Sequence, residues 1–313
     1  MVSSWSASAR SRPGGRFTRA SLAVIADVIV GEPPIRPHPV SVFGDVMGAI
    51  ERHFYRDGRL AGLAHAGAGL AAAVAVGSVV RSTTAATYVA VAGRSLGQAA
   101  TAVRRPLDAG DLDAARTLLP ALVGRDPAGL DEKELCRAVV ESVAENTVDA
   151  VIGPALWGAL AGAPGALAYR AVNTLDAQVG HHNDRYERFG WASARLDDGA
   201  NLIPARVTAG LVIAVRPHRA AAVLSAVRHQ AGAHPSPNAG VAEAAFAAAL
   251  GVRLGGENRY GGRVEIRPPL GSGPSPGIGD IDRAVRLSRH VSLAAAGGLA
   301  LLGRILGRRG RRR

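Results

Sequence analysis

Glu141, Glu145 and Asp149 recur at every fourth position of one stretch, so on a helix they share a face, with Asn146 beside them. The pattern returns after an uncharged run as Asn173 and Asp176, with Tyr169 one turn earlier, and a third time as Asp197 and Asp198 with Asn201. Oxygen ligands of this kind suit Mg²⁺, which is usually held by one or two carboxylates together with substrate phosphates. The arginines among them, Arg170, Arg185, Arg195 and Arg206, carry forked donors that match phosphate or carboxylate groups. One such patch alone reads as a solvated helix face. Three patches around an apolar run point instead to one shared site. His181 and His182 are adjacent, face different sides of a helix, and are not expected to share a metal.

The elements that must position these groups follow from the apolar spacing. The uncharged run from Ala150 to Tyr169 is about 20 residues, long enough to cross a bilayer. A complete crossing would put Glu141 to Asp149 and Tyr169 to Arg206 on opposite sides, where they could not share a site. Convergence therefore predicts that the run is re-entrant, buried within a bundle, or kinked at Pro154 and Pro164. Leu60 to Val80 holds no charged residue and carries Gly62, Ala66 and Gly69 at the spacing that packs membrane helices, so it is the strongest transmembrane segment. Other expected helices are an amphipathic one over Val42 to Arg59, a buried or interfacial one over Ser82 to Gly93, soluble ones between Arg94 and Val140, and a closing one from Ile281 to about Leu306. Asp131 and Glu134 form a capping box for the helix that enters the first acidic patch. Arg216-Pro217-His218-Arg219 splits two apolar pieces into a helix pair or one kinked helix. Asn238 is expected to cap the Ala-rich helix from Val241 to Leu250. The Pro-rich loop from Gly31 to Val40 presents Glu32, Arg36 and His38, and the Gly- and Pro-rich residues 255–262 and 268–279 are expected to be irregular. The fold expected is all-α: a polytopic helical membrane protein with interfacial and soluble helices. Residues 1–20 are expected to be a disordered basic N-terminus, 21–306 one membrane-embedded domain, and 307–313 a basic tail.

Composition narrows the function classes. The chain has 313 residues, 48% of them hydrophobic but only 4% aromatic, and a formal charge of +12. That charge gathers at Arg10, Arg12, Arg16 and Arg19 and again at Arg308 to Arg313, without interleaved aromatics or a nucleic-acid-binding module, so it reads as juxtamembrane charge and no nucleic-acid partner is expected. Basic termini place both ends in the cytoplasm and predict an even number of spans. The single Cys136 excludes an internal disulfide and a cysteine metal cluster. The apolar stretch from Leu22 to Val30 is interrupted by Asp27 and followed by GEPP, so a cleaved signal peptide is not expected. There is no phosphate-binding P-loop, no nucleophile elbow and no zinc-protease helix.

GEPPIRPHPV, ESVAENTVDAVIGP, YRAVNTLDAQVGHHNDRYERFGWASARLDDGANLIPAR, HPSPNAG and LGGENRYGG, in this order, resemble the CobD/CbiB family of cobalamin biosynthesis, the adenosylcobinamide-phosphate synthases. The resemblance runs from about Asp27 to Asp280. It implies a multi-pass protein of the cell (inner) membrane, with its active site on the cytoplasmic side. The implied chemistry is the joining of a propionate carboxylate of the corrinoid (adenosyl)cobyric acid to (R)-1-amino-2-propanol or its phosphate, with ATP as co-substrate and Mg²⁺. The lipid bilayer, and other late membrane enzymes of the pathway, are the partners implied. Within that frame Asp197 and Asp198, with Glu145 or Asp176, are expected to hold Mg²⁺; Arg185, Arg195 and Arg206 to hold phosphate or the substrate carboxylate; and His38, Asn146, Asn173, Tyr186, Asn201 and Asn238 to bind substrate. A carboxylate such as Glu141 is expected to take the amine proton. The chain departs from the family pattern at Gly31-Glu32-Pro33, where Gly-Asp-Pro is usual, and at His182, where a lysine is usual.

Two other classes fit less well. A transporter would also carry ionisable residues within apolar helices, but here the polar residues gather in one block rather than two matching halves. A membrane prenyltransferase would need a second Asp-rich motif of the Leu196 to Asn201 form, and the chain has one.

Overall fold

The computed structural model describes residues 13–181, 183–260 and 263–309. Helices dominate it. Four helical stretches are long and apolar enough to cross a membrane: Arg59–Val80, Glu132–Val179, Trp191–Val215 and Ile278–Arg309. Large apolar side chains such as Leu60 and Val79 on the first and Leu301 on the last face outward, giving the protein an exterior that a bilayer would cover.

Helix α1 (Pro13–Val30) opens the described chain, so residues 13–20 belong to a helix rather than to the disordered N-terminus expected; residues 1–12 lie outside the described residues. Backward extension through Phe17 lengthens a short apolar segment to 18 residues. α1 packs along α12 (Ile278–Arg309), and the Ser21 hydroxyl donates to the Ala296 carbonyl at 2.7 Å. Because α12 continues to Arg309, part of the expected basic tail is also helical; residues 310–313 lie outside the described chain. α2 (Pro39–Phe54) and α3 (Arg59–Val80) follow the Pro-rich loop, and α4 (Thr83–Ala90), α5 (Gly93–Asp108) and α6 (Leu112–Leu118) lead to the centre of the molecule.

The centre is α7 (Glu132–Thr147), capped by the reciprocal Asp131 and Glu134 bonds at 2.8 and 2.9 Å. Every residue from Leu135 to Ala144 is buried, the pattern of a helix enclosed on all sides. A π-helical turn at Val148–Ile152 joins it to α8 (Gly153–Val179). α8 is interrupted at Gly162, whose φ of 72° and ψ of −153° no L side chain adopts without strain. There the chain doubles back. In a straight helix Gly153 and Tyr169 would be separated by about 24 Å, yet a Cβ on Gly153 would run into the Tyr169 ring, and one on Gly158 would reach the Ala166 methyl at 3.4 Å. The uncharged run is thus a helical hairpin that turns beside Pro164, not a single crossing.

α9 (Trp191–Val215) returns past this hairpin, and a one-turn 3₁₀ segment at Pro217–Arg219 separates it from α10 (Ala220–His229), giving a helix pair. α11 (Ala239–Leu250) is buried along its whole length, and at 12 residues it is too short to cross a bilayer. Residues 255–260 and 268–270, expected to be irregular, instead belong to an antiparallel hairpin of β1 (Leu254–Tyr260) and β2 (Arg263–Leu270), with a register shift between Leu254 and Gly256, whereas 271–277 are irregular as expected. Local propensity is poor, and a tertiary contact compensates: the Arg137 guanidinium of α7 donates to the Gly255 and Glu257 carbonyls at 2.8 and 2.7 Å.

The close approach at Gly153 yields a test. Gly153→Ala forces the Tyr169 ring aside in a packed interior, and overpacking of this kind costs about 1–3 kcal/mol. A thermal melt of the detergent-solubilised variant is expected several degrees below the parent, whereas Gly199→Ala, which meets nothing within 4 Å, is expected to melt at or above it.

Candidate active site

The last turns of α7 and the π-turn carry Glu145, Asn146 and Asp149; the returning arm of α8 carries Tyr169, Asn173 and Asp176; the start of α9 carries Asp197 and Asn201. Reversal at Gly162 lets these three segments face one cavity of about 220 Å³, closed on its fourth side by Ser236 and Asn238. Four carboxylates, those of Glu145, Asp149, Asp176 and Asp197, line it, and no cationic side chain does so among the described residues.

Asn201 is the hub. Its Oδ1 accepts from the Tyr169 hydroxyl at 2.6 Å, and its Nδ2 donates to Asp149 Oδ1 and to Asp197 Oδ2, each at 3.0 Å. The amide therefore ties the π-turn, the α8 arm and α9 together and orients two acids toward each other. Asn173 donates to Asp197 Oδ1 at 3.5 Å and accepts from Arg170 at 3.3 Å. Arg170 also lines a second cavity with Glu32, Arg36 and His38 from the Pro-rich loop, so it stands between that loop and the acids. His38 serves locally as the N-cap of α2, its Nδ1 accepting from the Val40 amide at 3.4 Å.

The remaining sequence-derived residues fall in three places. Arg206 donates to Asn238 Oδ1 at 2.9 Å, and Asn238 Nδ2 donates to the Asp198 carbonyl at 2.8 Å. Asn238 occupies the N-cap position of α11 but makes no capping bond, because its side chain is spent on α9. Asp198 is 3.9 Å from the exposed Arg195, and neither side chain lines the acidic cavity. Arg185 and Tyr186 lie apart, bonding Glu51 of α2 at 2.8 and 3.2 Å, and Arg185 stacks on the Tyr55 ring at 4.3 Å. His182 lies outside the described residues.

Glu141 has a different task from the one the sequence suggested. It is 1% exposed, pairs with Arg125 and with Arg137 at 3.4 Å, and accepts from the Gly255 amide at 2.9 Å. Asn258 completes the cluster by accepting from both arginines, at 2.5 and 3.2 Å. A carboxylate so enclosed ties the β-hairpin to α7 and has no open face for an incoming amine.

From the sequence, Asp149 belongs to the converging acidic patch without an assigned role, and Glu243 and His234 carry no expected role at all. His234 Nε2 lies 3.4 Å from Glu243 Oε1, and both side chains are sealed. Arg267 Nη1 stands 3.6 Å from Glu243 and 3.7 Å from Glu145, so the pair adjoins the cavity wall. Burial, followed by the charge of Glu141, pushes the Glu243 carboxyl up to about 7. Burial and Arg267 hold the His234 imidazole below its ordinary value. The signal in the chain was Glu243 itself, the one acid in a helix of small and apolar residues.

The fold and cavity define a helical protein with a membrane-compatible exterior and a half-buried acidic site. The family model described as CobD/Cbib protein matches residues 20–288. The cobalamin biosynthesis protein CobD of Mycobacterium tuberculosis is 48% identical over 288 residues, spanning 88% of this chain and 92% of that protein. The proteins of the same name from Rhodobacter capsulatus and Chromobacterium violaceum are 42% identical over 270 residues and 45% identical over 297 residues, covering 81% and 89% of this chain and 85% and 94% of theirs. No solved structure matches. The chain belongs to the CobD/Cbib family, and that membership gives it a role in cobalamin biosynthesis.

The Glu141 cluster carries its own test. Removing one partner of a buried ion pair leaves the other charges uncompensated and costs about 3–5 kcal/mol. Glu141→Ala is therefore expected to lose that much stability in denaturant titration of the solubilised protein, and Asp149→Asn, which leaves the Arg125 and Arg137 pairs intact, to lose far less.

Proposed function

We propose that the protein forms an amide between a propionate carboxylate of the corrinoid (adenosyl)cobyric acid and aminopropanol or its phosphate, at the expense of ATP, in the cell membrane. The observation that carries this reading is the convergence of Glu145, Asp149, Asp176 and Asp197 on one cavity that has amides but no cation in its lining. A carboxylate does not condense with an amine unless it is first activated. Its oxygen attacks the terminal phosphorus of ATP, ADP leaves, and an acyl phosphate results. The amine nitrogen then attacks the acyl carbon, the carbon–oxygen bond to phosphate breaks, and the nitrogen loses a proton.

The donor set fits Mg²⁺: hard carboxylate oxygens, two of them oriented by Asn201, in a lining whose negative charge asks for a cation. Asp149 and Asp197 would hold it, and when bound it would offset the charge of the phosphates during phosphoryl transfer. Asp176, which lines the cavity from the opposite arm of the hairpin, would take the amine proton. Arg206 and Arg170, each hydrogen-bonded to a cavity or neighbouring amide, are placed to meet the anionic groups that enter. Asn146 and Asn238 line the wall; Asn146 would orient substrate, and Asn238 fixes Arg206 and the start of α9 beside it. Asp198 and Arg195 sit at the outer edge of α9 and act on the approach rather than on the bond that forms.

Protein reconstituted in lipid is expected to convert cobyric acid, ATP and aminopropanol or its phosphate to the cobinamide product with release of ADP. Unchanged corrinoid in the presence of folded protein would overturn the reading. Asp197→Asn is expected to lower kcat by at least about 100-fold, in line with the loss of a well-placed electrostatic group. Asp198→Asn is expected to retain most of its turnover at limiting Mg²⁺.

A further inference from the structure

Behind the cavity, Glu145 of its wall meets two buried side chains, His234 and Glu243, that have no part in the amide-forming reaction. Glu145, His234 and Glu243 each offer one ligand atom, and these atoms all lie within 4.8 Å of one another. The His234 and Glu243 side chains are 2% and 0% exposed. Both carboxylate oxygens of Glu243 and the Nε2 of His234 are buried without a hydrogen-bond partner. Leaving a buried polar atom unpaired costs about 1–3 kcal/mol, more for a charged one, and here His234 Nε2 and a Glu243 oxygen face each other across 3.4 Å. The three residues come from separate elements: Glu145 from α7, His234 from the loop before α11, and Glu243 from α11.

We propose that Glu145, His234 and Glu243 bind a single divalent transition-metal ion of the zinc class, at a site separate from the Asp149 and Asp197 pair. The spacing of one pair agrees: two ligands at about 2.1 Å from a tetrahedral centre stand about 3.4 Å apart, and His234 Nε2 and Glu243 Oε1 are 3.4 Å apart, with the Glu145 oxygen within 4.8 Å of both. The donors also agree, because an imidazole selects zinc, iron and similar ions over Mg²⁺ or Ca²⁺. His234 Nδ1 lies 3.2 Å from the Ser236 carbonyl. A proton donated there leaves Nε2 with a free lone pair, the usual support for a metal-bound histidine. Glu145 also lines the cavity, so the ion would lie against the cavity wall.

The competing occupant is a proton. Nδ1 is also 3.0 Å from the Ser236 amide. In that tautomer Nε2 carries the hydrogen toward Glu243, while Glu145 and Glu243 share a second one. Arg267 stands beyond hydrogen-bond distance of both acids, at 3.7 and 3.6 Å, with its Nε on Glu265 at 3.0 Å, so it neighbours the space without filling it. Glu145, Glu243 and Glu265 with one guanidinium and a neutral imidazole sum to two negative charges, which a divalent ion cancels and a single proton only halves.

The site is testable without the amide-forming activity and stands or falls independently of it. Full-length protein purified without a polyhistidine tag, stripped with chelator and dialysed against Zn²⁺, is expected to retain one zinc per chain, with X-ray absorption showing imidazole in its shell. His234→Gln and Glu243→Gln are each expected to weaken zinc binding by at least about 100-fold, a ligand being worth more than the outer partners whose loss costs 10–100-fold. Asp197→Asn is expected to leave zinc content and the imidazole signature unchanged. A stripped wild-type protein that takes up no zinc, or takes it up without imidazole, overturns the proposal and favours the shared proton. The wild-type measurement decides even if a variant fails to fold.

Discussion

The Tyr169 ring lies so close to Gly153 that no side chain fits there, and the rest of the site depends on that contact. It exists only because the chain reverses at Gly162, where a positive φ opens a route closed to other residues. The reversal brings Tyr169 back beside the π-turn, within reach of Asn201, and Asn201 then holds Asp149 and Asp197 together. Without the hairpin, the acids of α7 and those of α8 and α9 would be separated by the length of a helix.

Gathering four carboxylates in a closed space is costly, and the protein manages that cost in layers. Amides of Asn173 and Asn201 donate to the acids and offset part of the desolvation. One turn away, Glu141 is neutralised by two arginines and tied to the β-hairpin, so the acid nearest the middle of α7 strengthens the scaffold. The acidic face of α7 therefore divides along its length: Glu141 is structural, Glu145 is shared between cavity and wall, and Asp149 is oriented into the cavity by Asn201. Equal spacing on a helix face does not mean equal surroundings.

The strand hairpin shows the same dependence on distant partners. Nothing in LGGENRY favours a strand, yet Arg137 collects its carbonyls and Asn258 joins the buried ion cluster. The hairpin thereby closes over Glu141 and brings Arg267 beside Glu145 and Glu243. α11 completes that wall, buried all round because its residues are small enough for neighbours to pack on every side.

Much was legible in the chain because it depends on local rules. The absence of charge from Leu60 to Val80 marks α3 almost to the residue, the Asp131 and Glu134 pair marks the start of α7, and four-residue spacing puts Glu141, Glu145 and Asp149 on one face. The demand that the acidic patches meet, set against the length of the apolar run, already implied that the run folds back. The site's membership was not legible in the same way. Whether Glu141 faces substrate or arginine, whether Asn238 caps a helix or clamps α9, and whether Glu243 and His234 meet Glu145 depend on how separate elements of the chain pack against one another. Sequence determines which residues share a helix face, because that periodicity is intrinsic to the backbone. Tertiary packing decides what each of them faces, because only contacts between elements set burial, partners and charge.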